Sequence, residues 1–497
     1  MQEKEQEFSF KSLFIPFTTF KAIHWIIIIG FIVFANMLFN GFVWDDNFQI
    51  TKNIFVQSGQ YFYYFSHTIG PYYKPFMFFV YTIFFKLFHL NSFFYHFFQI
   101  TLHIVNAIFI FLLFRHFSRK NIISFVLAQL FLVHPMNEET AVYIADYQDI
   151  LFTFFGLAAL LVSIKQIFKK YSDVAVLVLL LCSILSKETG ILFVIMVIIF
   201  AVFFRKESKL YTAIYSSGAA LLYFLIRFLL VGVINPSHFV AIPEARIAAI
   251  SFIERLNSIP KIIYYYLTTF VYPLNLSAQV WYVKSFTFPE FFWPFIFDLS
   301  FFCILIACGV YLLQKKKIMA RAFWFFFFWF CIGLLLHLQI LPLDFTATTR
   351  WFYFPMVGLL GMLLIVFQNM KITNRIIKKS FIVILLILFL ALAVRTMIRN
   401  TNWYSDITLF KHDLPFMEND ASAQYNYGTA LFNEGRYGEA VNHLNKATLL
   451  APKNFQTWHI LGIVYLHLNE LDKAKICFTK EITLNKDLSM RVLLRSW

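Results

Sequence analysis

Asp45 and Asp46 stand side by side in Gly41-Phe-Val-Trp-Asp-Asp-Asn-Phe-Gln-Ile50, just after the first long apolar stretch, His24 to Phe39. Two adjacent carboxylates at the mouth of a membrane span are costly to hold near hydrocarbon, so such a pair faces water and either binds something or takes a proton. Successive residues of a helix point about 100° apart, so both can address one substrate only from a turn or an extended segment. Gly41 and Asn47 suit such a segment. General-base chemistry is one use of the pair, and anchoring or capping a helix is the plainer alternative.

Further polar groups interrupt the apolar sequence at Lys74 (in Tyr72-Tyr73-Lys74-Pro75), His134, Glu139, Asp146, Asp149, Lys187, Glu188 and Arg350. Charges lining a cleft at a membrane surface suit a phosphate-bearing lipid: Lys74, Lys187 and Arg350 would hold the phosphate while the carboxylates handle an acceptor hydroxyl. Ion pairing of Lys187 with Glu188, or of Arg350 with Asp344, explains each cation singly about as well. His96, Gln99, His103 and Asn106, spaced three, four and three apart, form one polar stripe on a helix, which points to hydrogen bonding between helices. Glycine-rich phosphate loops, Cys/His metal-ligand spacings and a serine nucleophile elbow are absent from the sequence, which disfavours a cytosolic nucleotide-using enzyme and assigns no metal site.

The elements that must position these groups are membrane helices. Of 497 residues, 60% are hydrophobic and 14% charged, with 67 Phe, against about 25% charged in a soluble domain. About eleven spans are expected, near 22–40, 92–114, 121–135, 150–166, 173–186, 189–204, 211–232, 292–313, 322–341, 352–369 and 380–396. Most basic residues fall in alternate short connections (Arg115 to Lys120, Lys165 to Lys170, Arg205 to Lys209, Lys315 to Arg321, Lys371 to Lys379), which the positive-inside bias makes cytoplasmic. The net charge of +15 is thereby accounted for without nucleic acid. The candidate site residues then share the outer side. Ile259 to Pro273 is apolar enough to span but would break the parity, so it is expected to be interfacial or re-entrant. The N-terminus lacks a small-residue cleavage site after its first apolar run and is expected to stay as a signal anchor. The five cysteines suggest no disulfide framework.

Past residue 400 the composition becomes that of a soluble helical domain, giving a division into a membrane domain 1–400 and an outer domain 401–497. A shift of 34 residues superposes Gly428 on Gly462 and Ala440 on Ala474, and the positions of Trp458, Leu461, Gly462, Tyr465, Ala474 and Phe478 fit the tetratricopeptide pattern. Two repeats follow, 421–454 and 455–488. Because about three usually stand alone, this pair needs a cap from the 403–417 segment, the membrane domain or a partner.

The order of Trp44-Asp45-Asp46, Lys74-Pro75, the His96 to Asn106 stripe, His134-Pro135 with Glu139 and Asp149, Ser186-Lys187-Glu188, Arg350-Trp-Phe-Tyr353, Arg399, Trp403 and then the repeats resembles the transmembrane and tetratricopeptide-repeat O-mannosyltransferases and their bacterial relatives. The resemblance covers nearly the whole chain. It implies an all-α, polytopic GT-C architecture with a C-terminal α-solenoid. It also implies transfer of a sugar from a polyprenyl-phosphate donor to a protein or glycan acceptor on the extracytoplasmic face, centred on the first outer loop. Either Asp45 or Asp46 would be the general base of an inverting transfer and the other would orient it. Phosphate is already a good leaving group, so no metal is required, though the acidic loops could hold a divalent ion. Departures from the family pattern fall at Lys74, Gln99, Tyr147 and Thr349, where Arg, Asn, Arg and Glu are usual; Lys for Arg gives up bidentate phosphate binding. The alternatives are a non-catalytic scaffold whose repeats recruit an envelope or secretion partner, and a polymerase or ligase of lipid-linked glycans. The Phe, Ile, Lys and Asn bias points to an AT-rich bacterial genome and so to the plasma membrane rather than the endoplasmic reticulum.

Overall fold

The computed structural model describes residues 17–68, 72–118, 120–168, 171–205, 209–232, 250–278, 287–343, 345–370 and 373–485. Helices start where small polar side chains take up free amides: Thr18 before Thr19–Phe34, Asn91 before Ser92–Phe117 and Asn374 before Arg375–Asn402. Among the described residues, eight helical segments are long and apolar enough to cross a membrane: Thr19–Phe39, Ser92–Phe117, Ile144–Lys165, Lys209–Leu230, Phe288–Lys315, Lys317–Leu335, Thr349–Asn369 and Arg375–Asn402. The segments expected at 121–135, 173–186 and 189–204 form shorter apolar helices, Asn121–Val133, Ser172–Ser186 and Ile191–Phe204, of 13, 15 and 14 residues. At 1.5 Å per residue these reach only ~20 Å, short of the ~30 Å hydrocarbon layer, so length does not establish the expected count of eleven.

The bundle has two chemically different ends. At one, basic connections meet polar groups: Lys120 Nζ donates to the Gln368 carbonyl (3.4 Å), Lys316 Nζ to Asn369 Oδ1 (2.6 Å), and Arg205 lies 3.7 Å from Asp173. The acidic loops gather at the other.

Two further helices meet that acidic end. Pro75–Phe88 has no counterpart among the expected elements. Ser92 Oγ donates to the Asn40 carbonyl (2.7 Å), so the segment just after this helix meets the one after the first long helix, while Phe76 at its start packs edge-on against Phe155 (5.3 Å). Phe252–Val271 covers the stretch expected to be interfacial. Arg255 near its start donates to the Gln339 carbonyl (3.1 Å), and the Phe270 carbonyl near its finish accepts from His134 (2.9 Å). Both ends of this helix therefore meet the acidic end, in keeping with a segment that does not cross.

After the last apolar helix come Asp406–Asp413 and two helix pairs, Ala421–Asn433 with Tyr437–Leu450 and Phe455–His467 with Leu471–Leu484, and Asp406–Asp413 packs against Ala421–Asn433 of the first pair. A Cβ on Gly428 would come 2.8 Å from Leu444, and one on Gly462 2.8 Å from the Phe478 ring. Both pairs thus depend on a glycine at the same register position. Leu409, fully buried, places Asp406–Asp413 as the cap that two repeats require.

Candidate functional site

The two neighbouring carboxylates have different surroundings. Asp46 is 1% exposed. Its Oδ2 accepts the Val43 amide (2.9 Å) and its Oδ1 the Ala145 amide (2.6 Å), which ties the segment after the first long helix to the one before Tyr147–Lys165. Burial pushes its carboxyl well above the ordinary range, opposed by those two donors. Asp45 is exposed. Its amide donates to Tyr143 Oη (3.2 Å). Both residues lie in a helical turn, where successive side chains point about 100° apart; Trp44 before them takes φ 52°, a left-handed conformation that costs a non-glycine residue about 1–2 kcal/mol. The Trp44 ring stacks on Tyr143, centroids 5.4 Å apart and 14° from parallel.

Tyr143 also faces Arg350, whose guanidinium carbon lies 5.9 Å from its ring centre and 5.6 Å from that of Phe345. Arg350 sits in the turn that opens the Tyr353–Asn369 helix. It is fixed there by Glu139, which accepts from Arg350 Nη1 (3.0 Å), the Arg350 amide (3.2 Å), Thr348 Oγ1 (2.8 Å) and Thr349 Oγ1 (2.6 Å). Asp146 stands 3.9 Å from Arg350 Nε. Lys187 reaches both oxygens of Asp149 (2.6 and 2.7 Å) from the break between Ser172–Ser186 and Ile191–Phe204. That break turns tightly at Gly190, where a Cβ would lie 2.5 Å from the Ser183 backbone.

Asp45, Asp46, Glu139 and Arg350 thus converge on Tyr143, with Asp146 at the edge and the Lys187–Asp149 pair beside Asp146. The expected partner of Lys187, Glu188, instead bonds Arg227 and Tyr223. Asp344, the expected partner of Arg350, lies outside the described residues. Lys74 sits to the side, its Nζ 4.7 Å from the Tyr72 ring centre, while neighbouring Tyr73 lies under Arg227. His134 spends both ring nitrogens on the protein: Nδ1 accepts the Met136 amide and Nε2 donates to Phe270. Burial takes its pKa down to about 4, leaving a neutral ring stacked on Phe270.

A second charged group adjoins the first. Arg399, 1% exposed, contacts Glu138 (3.6 Å) and Asp413 (3.0 Å), and Asp413 also takes the Ala278 amide (2.8 Å). Burial lifts Glu138 to about 8, Arg399 only partly offsetting it. Among the described residues, no group of three or more His, Cys, Asp or Glu is arranged to hold a metal ion.

The polar stripe works as an interhelical seam. Gln99 donates to the Thr140 and Tyr143 carbonyls, and His103 and Asn106 both bond the Tyr353 hydroxyl. Three departures from the family pattern have physical counterparts here. Gln99 reaches the Thr140 and Tyr143 carbonyls, Tyr147 donates to the Tyr95 carbonyl, and Thr349 donates to Glu139, where a carboxylate would meet a carboxylate.

Sequence comparison adds two findings. Tetratricopeptide repeat models match residues 421–454 and 455–488. The chain is also 28% identical over 190 residues to protein O-mannosyl-transferase TMTC3 of Mus musculus, covering 36% of this chain and 20% of the mouse protein. Against the same protein of Homo sapiens it is 28% identical over 134 residues, covering 27% of this chain and 14% of the human one. The aligned stretches therefore span a fifth or less of these relatives. No solved structure matches.

Proposed function

We propose that this chain is a GT-C type inverting glycosyltransferase of a multi-pass membrane, moving a hexose such as mannose from a polyprenyl-phosphate donor to a protein hydroxyl on the extracytoplasmic face. The similarity to protein O-mannosyl-transferase TMTC3 supports the class and the protein acceptor. Most weight falls on Asp45, an exposed carboxylate beside a tyrosine that also faces a guanidinium.

Chemically, the acceptor oxygen attacks the anomeric carbon as the bond from that carbon to the phosphate oxygen breaks. The electron pair leaves with the polyprenyl phosphate, and Asp45 takes the acceptor proton. Asp46 cannot easily share that task, since both of its oxygens hold backbone amides; it fixes the turn. Arg350, held by Glu139, and Lys187, held by Asp149, supply positive charge for the leaving phosphate, with Lys74 further out. We assign the step no metal. The repeats bind the acceptor, and the basic end of the bundle faces the cytoplasm of a bacterial cell.

Purified protein assayed against a panel of polyprenyl-phosphate sugars should release the lipid phosphate and glycosylate an acceptor. Asp45→Asn should reduce transfer by about 10² to 10⁴. An Asp45→Asn protein that is folded and turns over like wild type would remove the base assignment. Absence of release from any donor would favour the scaffold.

A further inference from the structure

The Asp45 turn is held from a distant part of the chain. Asp406 opens the Asp406–Asp413 helix, yet that helix is capped by Ser405, whose side chain accepts the Thr408 amide, so the Asp406 carboxylate is not needed for capping. It reaches across instead. Oδ1 accepts the Trp44 amide at 2.6 Å, and Oδ2 lies 3.5 Å from Asn47 Nδ2. Around this contact, the Gly41 amide donates to the Tyr404 carbonyl (3.1 Å), and the Phe410 ring meets Trp44 edge-on at 6.2 Å. Trp44 is the residue in the left-handed conformation. Such a conformation persists in a non-glycine residue only where the surroundings over-determine it.

We propose that Asp406 is a positioning residue, clamping the Trp44 amide so that the left-handed turn presents Asp45 to the acceptor, and that through its helix the placement of the repeats is felt at the catalytic turn. The proposal rests on the assignment of Asp45 as base. Its physical content is a hydrogen-bond acceptor at the Trp44 amide, not a charge. Asp406→Asn keeps a carbonyl oxygen there, whereas Asp406→Ala removes it.

The test uses the full chain in detergent, by two independent readouts. Hydrogen exchange over residues 43–47 should quicken by about tenfold or more in Asp406→Ala and stay near wild type in Asp406→Asn. In transfer to a small hydroxyl acceptor, Asp406→Ala should lower kcat about tenfold with KM for the donor unchanged, and Asp406→Asn should restore it to within about threefold. In a Trp44→Gly background, where a left-handed residue costs nothing, the further loss caused by Asp406→Ala should shrink severalfold. Unchanged exchange in Asp406→Ala would overturn the clamp. Equal loss of kcat in the Asn and Ala variants would overturn it as well, because Asp406 would then be acting through its charge. Faster exchange with unaltered kcat would show a clamped turn that does no catalysis, and would overturn the base assignment rather than the clamp.

Discussion

Buried carboxylates at this site are distinguished by what meets them. Asp46 meets two amides, Glu139 two hydroxyls, an amide and a guanidinium, and Asp413 an amide and Arg399. Glu138 is the least satisfied: one oxygen lies 3.6 Å from Arg399, and the other is buried without a hydrogen-bond partner. Arg399 is matched more closely by Asp413, which its charge holds below the usual carboxylate range even though burial acts to raise it. Glu138, at about 8 in the folded protein against 4.5 ordinarily, binds its proton more readily folded than unfolded. Stability from this group is therefore fully present below about pH 4.5 and declines as pH rises toward about 8. Thermal unfolding of Glu138→Gln in detergent should show a flatter dependence on pH across that window than wild type. The same slope in both proteins would assign the titration elsewhere.

At the scale of elements, the site depends on how closely the helices that carry it approach. Arg350 opens Tyr353–Asn369, which packs on Lys317–Leu335 at Gly358, where a Cβ would lie 2.5 Å from the Phe330 amide nitrogen and 2.7 Å from the Phe326 carbonyl oxygen. Both contacts are backbone, so Gly358→Val must push the helices apart, at about 1–3 kcal/mol for such overpacking. A lower melting temperature and reduced transfer are expected; a fully stable, active variant would show that the pair has slack. Much of this level was legible in the sequence. Long apolar runs and the 34-residue repeat identified the eight long helices among the described residues and the repeat pairs, and polar residues stranded among apolar ones pointed to Asp45, Asp46, Glu139, Asp149, Lys187 and Arg350 as candidates. Pro75–Phe88 escaped notice because Lys74 and Lys86 bound its short apolar run. Pairings were the weakest inference: Lys187 takes Asp149, 38 positions away, rather than its neighbour Glu188, because adjacent residues in a chain rarely face each other. Asp406 and Asp413 gave no signal, since their meaning lies in contacts with Trp44, some 360 residues earlier, and with a buried arginine.

For the whole molecule, the order of the chain places the repeats after the clamp and not within it. Asp406–Asp413 belongs to both parts: its side chains hold Trp44 and Arg399, and the helix packs against Ala421–Asn433 of the first repeat. A protein ending near Met417 would keep Asp406, Asp413 and every contact made around Tyr143, and would lose both tetratricopeptide pairs. Paired helices of this type offer a concave surface suited to peptides, and Gly428 and Gly462, at the same position of the two repeats, serve packing and not chemistry. Truncation after Met417 should therefore leave slow hydrolysis of the lipid donor, or transfer to a small surrogate hydroxyl, while transfer to a protein acceptor falls sharply. Should an inserted, monodisperse truncation lose donor turnover altogether, the repeats would have to complete the site itself, and the separation of acceptor binding from catalysis would fail.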